Sequence, residues 1–377
     1  MFGKLKTFKG ISKKALAQKG MGRKIKYMSY ALSAHKNGVV TARLDRIAQE
    51  YTDNYFDLQG VSNEDKAWFA KRGYSPHKIP WYKLTRDNYT DYISDFVFYS
   101  RKNYVNKKFD AWFDNKLTTY YVLSPFKSNM PVHFYYKDAS GVYAINAEGK
   151  GNIDDILQLA RERELALKST TGGHGDGFYK LEYNGKDYLV NGKPYDEDKT
   201  RSFLGGLTGY IITSYERPRQ LFSEICGENT FAVMRIYMIN DKEDGPQMIA
   251  GCIRLGSKAS GYVTGYEGTV YCGIELETGK LFRQIYMKSD YEYIYIDKHP
   301  DTGKVLEGVG IPDWKDVQEL TARISKHIPM TPYLVIDIIP SENGLKVLEI
   351  NSHGQFAPVE AFYPAMKNKY VRKLFKE

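Results

Sequence analysis

The sequence predicts an α+β protein with antiparallel sheets, preceded by a mostly helical N-terminal region. Three observations carry that prediction. Residues 1–112 read as helices, with little strand signal. After about residue 116, short β-rich segments alternate with helical ones. The last two strands, "PYLVIDIIP" and "GLKVLEIN", are joined by a short polar link that suits a hairpin.

In the first region, "SNEDKAWFAKRG" has Ser62 at the N-cap position, acids in the first turn and a closing Gly73. "DNYTDYISDFVFYSRKNYVN" offers Asp87 or Asn88 as a cap for a second helix. Further on, "PVHFYYK" reads as a strand and "NIDDILQLARERE" as a helix. "LALKS", "DGFYKLEY" and "KDYLVN" are strands, as is the end of "GLTGYIITSYE". "FAVMRIYMIN" and "MIAGCIRLG" follow as strands, then "DWKDVQELTARISKHI" as an amphipathic helix.

The 377 residues are 42% hydrophobic and 26% charged, a globular composition that suits two or three domains. No apolar run approaches a membrane span, and the N-terminus has no apolar core of a secretory signal. Cys226, Cys252 and Cys272 lack metal spacing and read as free thiols of a reducing compartment, hence the cytoplasm. The net charge of +9 is unevenly placed. Residues 1–44 hold 11 Lys or Arg and no acid, leaving 43 basic against 45 acidic residues in the rest. Such an arm suits an anionic membrane surface, nucleic acid or an acidic polymer, or is a solvated helical extension.

The closing hairpin places acids in an apolar stretch. A three-residue loop, Glu342-Asn343-Gly344, sets Ser341 opposite Leu345 and Asp337 opposite Glu349. Asn351 then shares the face of Glu349, while Ile336, Ile338, Leu348 and Ile350 point to a core. A two-residue Asn343-Gly344 turn would instead put Asp337 opposite Ile350. Opposed carboxylates repel, so they need a cation between them or a proton on one, unless both face water. Carboxylate and amide oxygens suit Mg2+, which takes its remaining ligands from phosphates and water. Upstream, "ALKSTTGGHGDGFYKL" sets Lys168 at a strand end before Gly172, Gly173, Gly175 and Gly177. Glycine-rich backbone and a lysine can cradle phosphate, although this is neither a P-loop nor GxGxxG; a flexible hairpin loop is the plainer alternative. Lys116 precedes a short helix.

Taken together, these pieces resemble the ATP-grasp superfamily. The order matters: a lysine opening the central lobe ("NK", 115–116), a lysine and Gly-rich loop (165–177), a hinge strand, then Asp337 and "LEIN" (348–351). Finer details are similar to the sugar-transfer-associated family and its teichuronopeptide-biosynthesis relatives: "NTFAVMRIYMI", "CIRLGS", "IELETGKL" and "KHPDTGKVLEGVGIPDW". The resemblance implies a helical region over 1–112, a central lobe over 113–215 and a C-terminal lobe over 216–377. It implies ATP with Mg2+ held by Asp337, Glu349 and Asn351, and phosphates met by Lys116, Lys168 and the loop with His174. Ile212, Thr213 and Tyr215 would line the adenine site, with Glu216 at the ribose. Val335 stands where the family often has an arginine, so Arg235 or Arg254 has to supply that charge near the acylphosphate. His353 is a base for the amine or a polar lid residue, and Tyr262, Tyr266 and Glu267 border an acceptor pocket.

The implied activity is a carboxylate-amine ligase working through an acylphosphate. It would join an amino acid or peptide to a sugar or glycan precursor in surface-polysaccharide synthesis. A kinase using the same nucleotide site, or a basic membrane-surface or nucleic-acid binding module, are the alternatives. Nucleic acid is the less expected partner. The basic arm would place the enzyme at the inner membrane face.

Overall fold

The computed structural model describes residues 2–145, 150–171, 177–227, 230–261, 267–289 and 292–375. The chain divides into two compact units. One comprises residues 1–107, 290–294 and 353–377; the other comprises 108–289 and 295–352. The last 25 residues, expected in the C-terminal lobe, therefore fold with the N-terminal helices. No helix among the described residues is long and apolar enough to cross a membrane.

The helical unit begins with α1 (Phe2–Ala17), α2 (Met21–Lys36) and α3 (Thr41–Asp57). Leu44, Ile47, Ala48 and Tyr51 recur at helical spacing on α3 and are buried, which gives that helix its packing face. Helix α4 (Asn63–Lys71) starts as its sequence suggests: the Ser62 hydroxyl accepts from the Asp65 N–H at 3.0 Å. A short α5 (Lys78–Tyr82) follows. The next helix departs from expectation. Neither Asp87 nor Asn88 caps it; α6 (Asp95–Val105) starts after the extended Tyr92, and Ser94 caps it by accepting from Val97 N–H at 3.2 Å.

The larger unit holds two antiparallel sheets. Helix α7 (Lys116–Val122) leads into β1 (His133–Asp138), β2 (Gly141–Ala144) and β3 (Lys150–Gly151). Helix α8 (Ile153–Glu162) is launched by a capping box of Asn152 and Asp155. Then come β4 (Leu165–Ser169), β5 (Phe178–Tyr183), β6 (Tyr188–Val190), β7 (Lys193–Tyr195), α9 (Glu197–Gly206) and β8 (Tyr210–Ser214). The eight strands run in the order β3-β2-β1-β8-β4-β5-β6-β7. Ile156, Leu157 and Ala160 of α8 pack with Leu165, Leu167, Leu181 and Ile212 in one core.

The second sheet follows α10 (Gln220–Cys226). It contains β9 (Ala232–Asp241), β10 (Gly245–Leu255), β11 (Val270–Ile274), β12 (Leu281–Ser289), β13 (Glu292–Ile296), β14 (Tyr333–Ser341) and β15 (Gly344–Asn351). Its order is β13-β12-β11-β10-β9-β14-β15. Helix α11 (Trp314–His327) packs Val317 and Ile324 with Ile236, Ile253, Ile336, Ile338, Val347 and Ile350. The sheet thus has one apolar face, and its other face is free to carry charge. The short α12 (Ala357–Glu360) and α13 (Lys369–Phe375) belong to the helical unit.

The β14-β15 hairpin has a tighter turn than its sequence suggests. Ser341 pairs with Gly344, whose φ is +89°, so the turn has two residues, Glu342 and Asn343. That register alone would set Asp337 opposite Leu348. A bulge intervenes: Ile338 pairs with Val347 and Asp337 with Glu349, leaving Leu348 as the surplus residue. The two acids face each other as expected, for a different reason.

Candidate nucleotide and metal site

Strand order and register set a row of side chains across the second sheet. Cys252 on β10 pairs with Arg235 on β9, Arg235 with Asp337 on β14, and Asp337 with Glu349 on β15. Cross-strand neighbours on one face touch. Arg235 donates to both Asp337 oxygens, from Nε at 3.0 Å and from Nη2 at 3.2 Å. Arg254, two residues along β10, adds a contact to Asp337 Oδ2 at 3.1 Å. The Asn351 amide donates to Asp337 at 3.3 Å and to Glu349 at 3.1 Å.

The two acids differ in electrostatics. Burial pushes the Asp337 carboxyl up, and the two guanidiniums oppose that shift. Burial acts on Glu349 in the same direction, but Lys116, Asn351 and Arg235 reverse it and hold Glu349 down at about 2. Glu349 is therefore a carboxylate throughout the physiological range. Its side chain is 33% exposed, whereas that of Asp337 is 1% exposed.

Lys116 opens α7, and Lys168 lies in β4 of the first sheet. The Lys116 backbone N–H donates to Thr170 at the end of β4, and its ammonium lies 3.7 Å from Glu349 Oε2. Asn115 caps α7 by accepting from Leu117 and Thr118. Burial, reinforced by the charge of Lys116, pulls the Lys168 ammonium down to about 8, and Glu349 and Glu216 counter it. Lys168 makes no hydrogen bond or ion pair among the described residues. Gly172, Gly173, His174 and Gly175, with Tyr262 and Tyr266, lie outside the described residues. Gly177 is the described end of the loop. Its φ is +72°, its carbonyl accepts from Ser169 N–H, and a Cβ there would lie 2.7 Å from the Tyr210 hydroxyl.

Other expected residues have defined surroundings. Ile212 and Thr213 sit in β8, hydrogen-bonded between β1 and β4, with both side chains buried. Their backbone groups are taken by the sheet, and the Tyr215 N–H likewise donates to the Glu164 carbonyl at 3.1 Å. The Glu216 oxygens accept from the Ser214 hydroxyl at 2.6 Å and the Ser341 hydroxyl at 2.8 Å. Glu216 ties the first sheet to the second. His353 opens the segment that folds with the helical unit.

The sequence reading missed an apolar cluster of Phe231, Val233, Ile339 and Leu348. By the period-two rule, Val233 shares the face of Arg235, and Ile339 shares that of Asp337. The bulge brings Leu348 to the same side as Glu349. Leu348 was expected in the core behind the sheet; the surplus residue reverses its direction. Also unforeseen is Lys180, fully buried and 2.7 Å from both Glu164 and Glu182, with its ammonium over the Tyr215 ring at 4.9 Å. Arg217 bonds Glu164 through Nε at 2.7 Å and Nη2 at 2.6 Å. This network anchors the hinge to β4 and β5.

Does the donor set fit Mg2+? Glu349 and Asn351 offer an ionised carboxylate and an amide oxygen one step apart on one face, which suits a hard cation. Asp337 is different. Three donors from two arginines and one from Asn351 already occupy its two oxygens. It fits as their counter-ion rather than as a cation ligand. No cluster of three or more His, Cys, Asp or Glu suited to a metal occurs among the described residues.

A family model described as sugar-transfer associated ATP-grasp matches residues 98–364. No curated protein sequence matches the chain. Among solved structures, the chain is similar to D-alanyl-alanine synthetase A from Vibrio cholerae O1 biovar eltor str. N16961: 13% identity, TM-score 0.40, covering 71% of this chain and 66% of that one. It is similar to D-alanine-D-alanine ligase from Bacillus anthracis at 12% identity and TM-score 0.38, covering 70% and 65%. For the ADP complex of an N5-carboxyaminoimidazole ribonucleotide synthetase the figures are 10% and 0.36, covering 65% and 46%. The chain thus spans about half to two thirds of the length of these proteins.

Proposed function

The chain belongs to the sugar-transfer-associated ATP-grasp family, and from that premise we propose that it is an ATP- and Mg2+-dependent carboxylate-amine ligase. One observation carries the reading. A single sheet face sets an ionic row (Arg235, Asp337, Glu349) beside an apolar cluster (Val233, Ile339, Leu348), with Lys116 reaching the row from the start of α7. A nucleotide has that same division, an aromatic base and an anionic chain.

Each residue then has a role. Phe231, Val233, Ile339 and Leu348 take the base. Lys116 and Lys168 neutralise phosphate oxygens. Glu349 and Asn351 would hold Mg2+, which would offset phosphate charge when bound. Asp337 holds Arg235 and Arg254 in place. Arg254 Nε is buried and has no partner among the described residues, so it has a donor left for a substrate oxygen.

The reaction consists of two displacements. A substrate carboxylate oxygen attacks the γ-phosphorus and ADP leaves, giving an acylphosphate. An amine then attacks the carbonyl carbon, inorganic phosphate leaves, and the amine's proton passes to solvent. Arginine and lysine charges steady both transition states, because phosphoryl transfer depends on positioning and charge more than on covalent help. The family's description, sugar-transfer associated, supports a sugar or glycan precursor as one substrate, and the proposed partner is an amino acid or peptide.

Incubation with ATP, Mg2+, candidate sugar acids or amino acids, and hydroxylamine tests this. The expected result is carboxylate-dependent hydroxamate with stoichiometric ADP. ADP with a stable phosphorylated acceptor and no hydroxamate would make the enzyme a kinase. If neither product forms and Glu349→Ala binds MgATP as tightly as the parent, the site assignment fails.

A further inference from the structure

The helical unit carries a second charged surface, unconnected with the argument for the ligase. Ten large hydrophobic side chains are exposed among the described residues, and four of them cluster within 17 residues: Leu16 at 69%, Met21 at 71%, Ile25 at 61% and Leu32 at 41%. Met21, Ile25, Met28 and Leu32 follow the spacing i, i+4, i+7, i+11. On an α-helix those positions fall within about 60° of arc, so they form one stripe along α2. The opposite side of α2 is already used: Tyr27, Tyr30, Ala31 and Ala34 are buried. The stripe is therefore a second apolar face on a helix that has its core contact.

The charges around it are distinctive. Acids of α3 engage some of the basic residues: Asp45 takes Lys14, and Asp53 and Asp57 take Arg23. Lys13, Lys19, Lys24 and Lys36 make no ion pair among the described residues. Lys24 and Lys36 flank the stripe, each about 60° from its centre by helical geometry. Lys19 lies in the turn before it. No acid occurs anywhere in residues 1–44.

We propose that the outer face of α2, with the α1-α2 turn, is an in-plane docking surface for an anionic lipid membrane. The chemistry selects that partner. A helix lying at an interface needs an apolar stripe to enter the acyl boundary and lysines beside it to meet lipid phosphates. Nucleic acid rewards the lysines alone, because its backbone offers phosphate without an apolar phase. The helix lies on the bilayer surface and does not cross it.

The test uses the full chain and vesicles of phosphatidylcholine with or without about 30% phosphatidylglycerol. The parent sediments with anionic vesicles and not with neutral ones, and binding falls at least about tenfold in about 0.5 M salt. Ile25→Ser with Leu32→Ser keeps every charge and lowers anionic-vesicle binding at least about tenfold at low salt. Lys19→Gln, Lys24→Gln and Lys36→Gln together lower it as much and flatten the salt dependence. Unchanged circular dichroism and melting show that each variant is folded, as substitutions at exposed positions should be. Three results would overturn the proposal. The parent ignores anionic vesicles. The serine variant binds as the parent does while both hold a single-stranded oligonucleotide, which makes the surface a phosphate binder. Light scattering shows a dimer that the serine variant dissociates, which makes the stripe a contact between copies.

Discussion

Each unit of this protein buries a charge cluster around one aspartate, and the two are built on opposite terms. In the helical unit, Asp95 accepts from the Tyr51 hydroxyl at 2.9 Å and the Ser75 N–H at 3.1 Å, and pairs with Lys78. Glu50 and Glu360 lie in the field of that pair, so one lysine serves three acids. Burial, then the Asp95 charge, pushes Glu50 up to about 7; burial alone is the chief cause that takes Glu360 to about 8. Burial also pulls His77 down to about 3, so it stays neutral. On the second sheet, two arginines and a lysine serve two acids, and Glu349 is held at about 2. A surplus of acids is accommodated by protons, whereas a surplus of cations keeps the Glu349 carboxylate charged. Only the second arrangement suits a cation and an anionic ligand together.

The largest effect that would break this contrast comes from Arg235→Met. It strips the bidentate partner from a carboxylate that is 1% exposed, and an uncompensated buried charge costs about 3–5 kcal/mol. Denaturant unfolding measures it; a loss below about 1 kcal/mol would mean that Arg254 alone suffices. Next, Glu349→Gln keeps the shape and removes the charge. Turnover should fall about 100-fold or more, with Mn2+ binding in the presence of ATP lost in parallel by electron paramagnetic resonance.

Glu360→Gln sharpens the other side. Glu50 and Glu360 have folded values above the ordinary carboxylate range, so between about pH 4.5 and 8 the native state holds more protons than the unfolded one. Stability contributed by these groups is complete below that window and is lost as pH rises through it. Glu360→Gln removes its share of that slope and raises stability at pH 8.5 by about 2 kcal/mol, read from melts across pH. The smallest effect belongs to Lys168. It is charged below about 8 and loses its proton above, so the KM for ATP should rise several-fold from pH 7 to 9. In Lys168→Arg that rise should disappear, because a guanidinium does not titrate there.

The legible part of the fold was local. β4 coincides with "LALKS", and Asn152 caps α8 where the acids of its first turn suggest. Long-range facts were not legible. Arg235 and Asp337 are 102 residues apart, and nothing near either one says that β9 and β14 are neighbours. The discontinuous helical unit is hidden for the same reason, since its closing segment shows its partners only in the packed chain. The central position of Ile212 and Thr213 was not legible, because an apolar strand looks the same at an edge, where its backbone is available, as between two others. The hairpin shows a subtler limit. A three-residue loop with a regular ladder and a two-residue turn with a bulge predict the same partner for Asp337.

That bulge separates two properties which a regular strand would keep linked. In an unbroken ladder adjacent residues look in opposite directions, so one residue cannot serve the base while its chain neighbour serves the metal. Here Leu348 and Glu349 do look the same way. Removing Leu348 altogether would leave Glu349 opposite Asp337 and take away only the apolar neighbour. Preference among nucleotide bases and grip on the triphosphate could then drift independently across related enzymes, through gain or loss of a single codon.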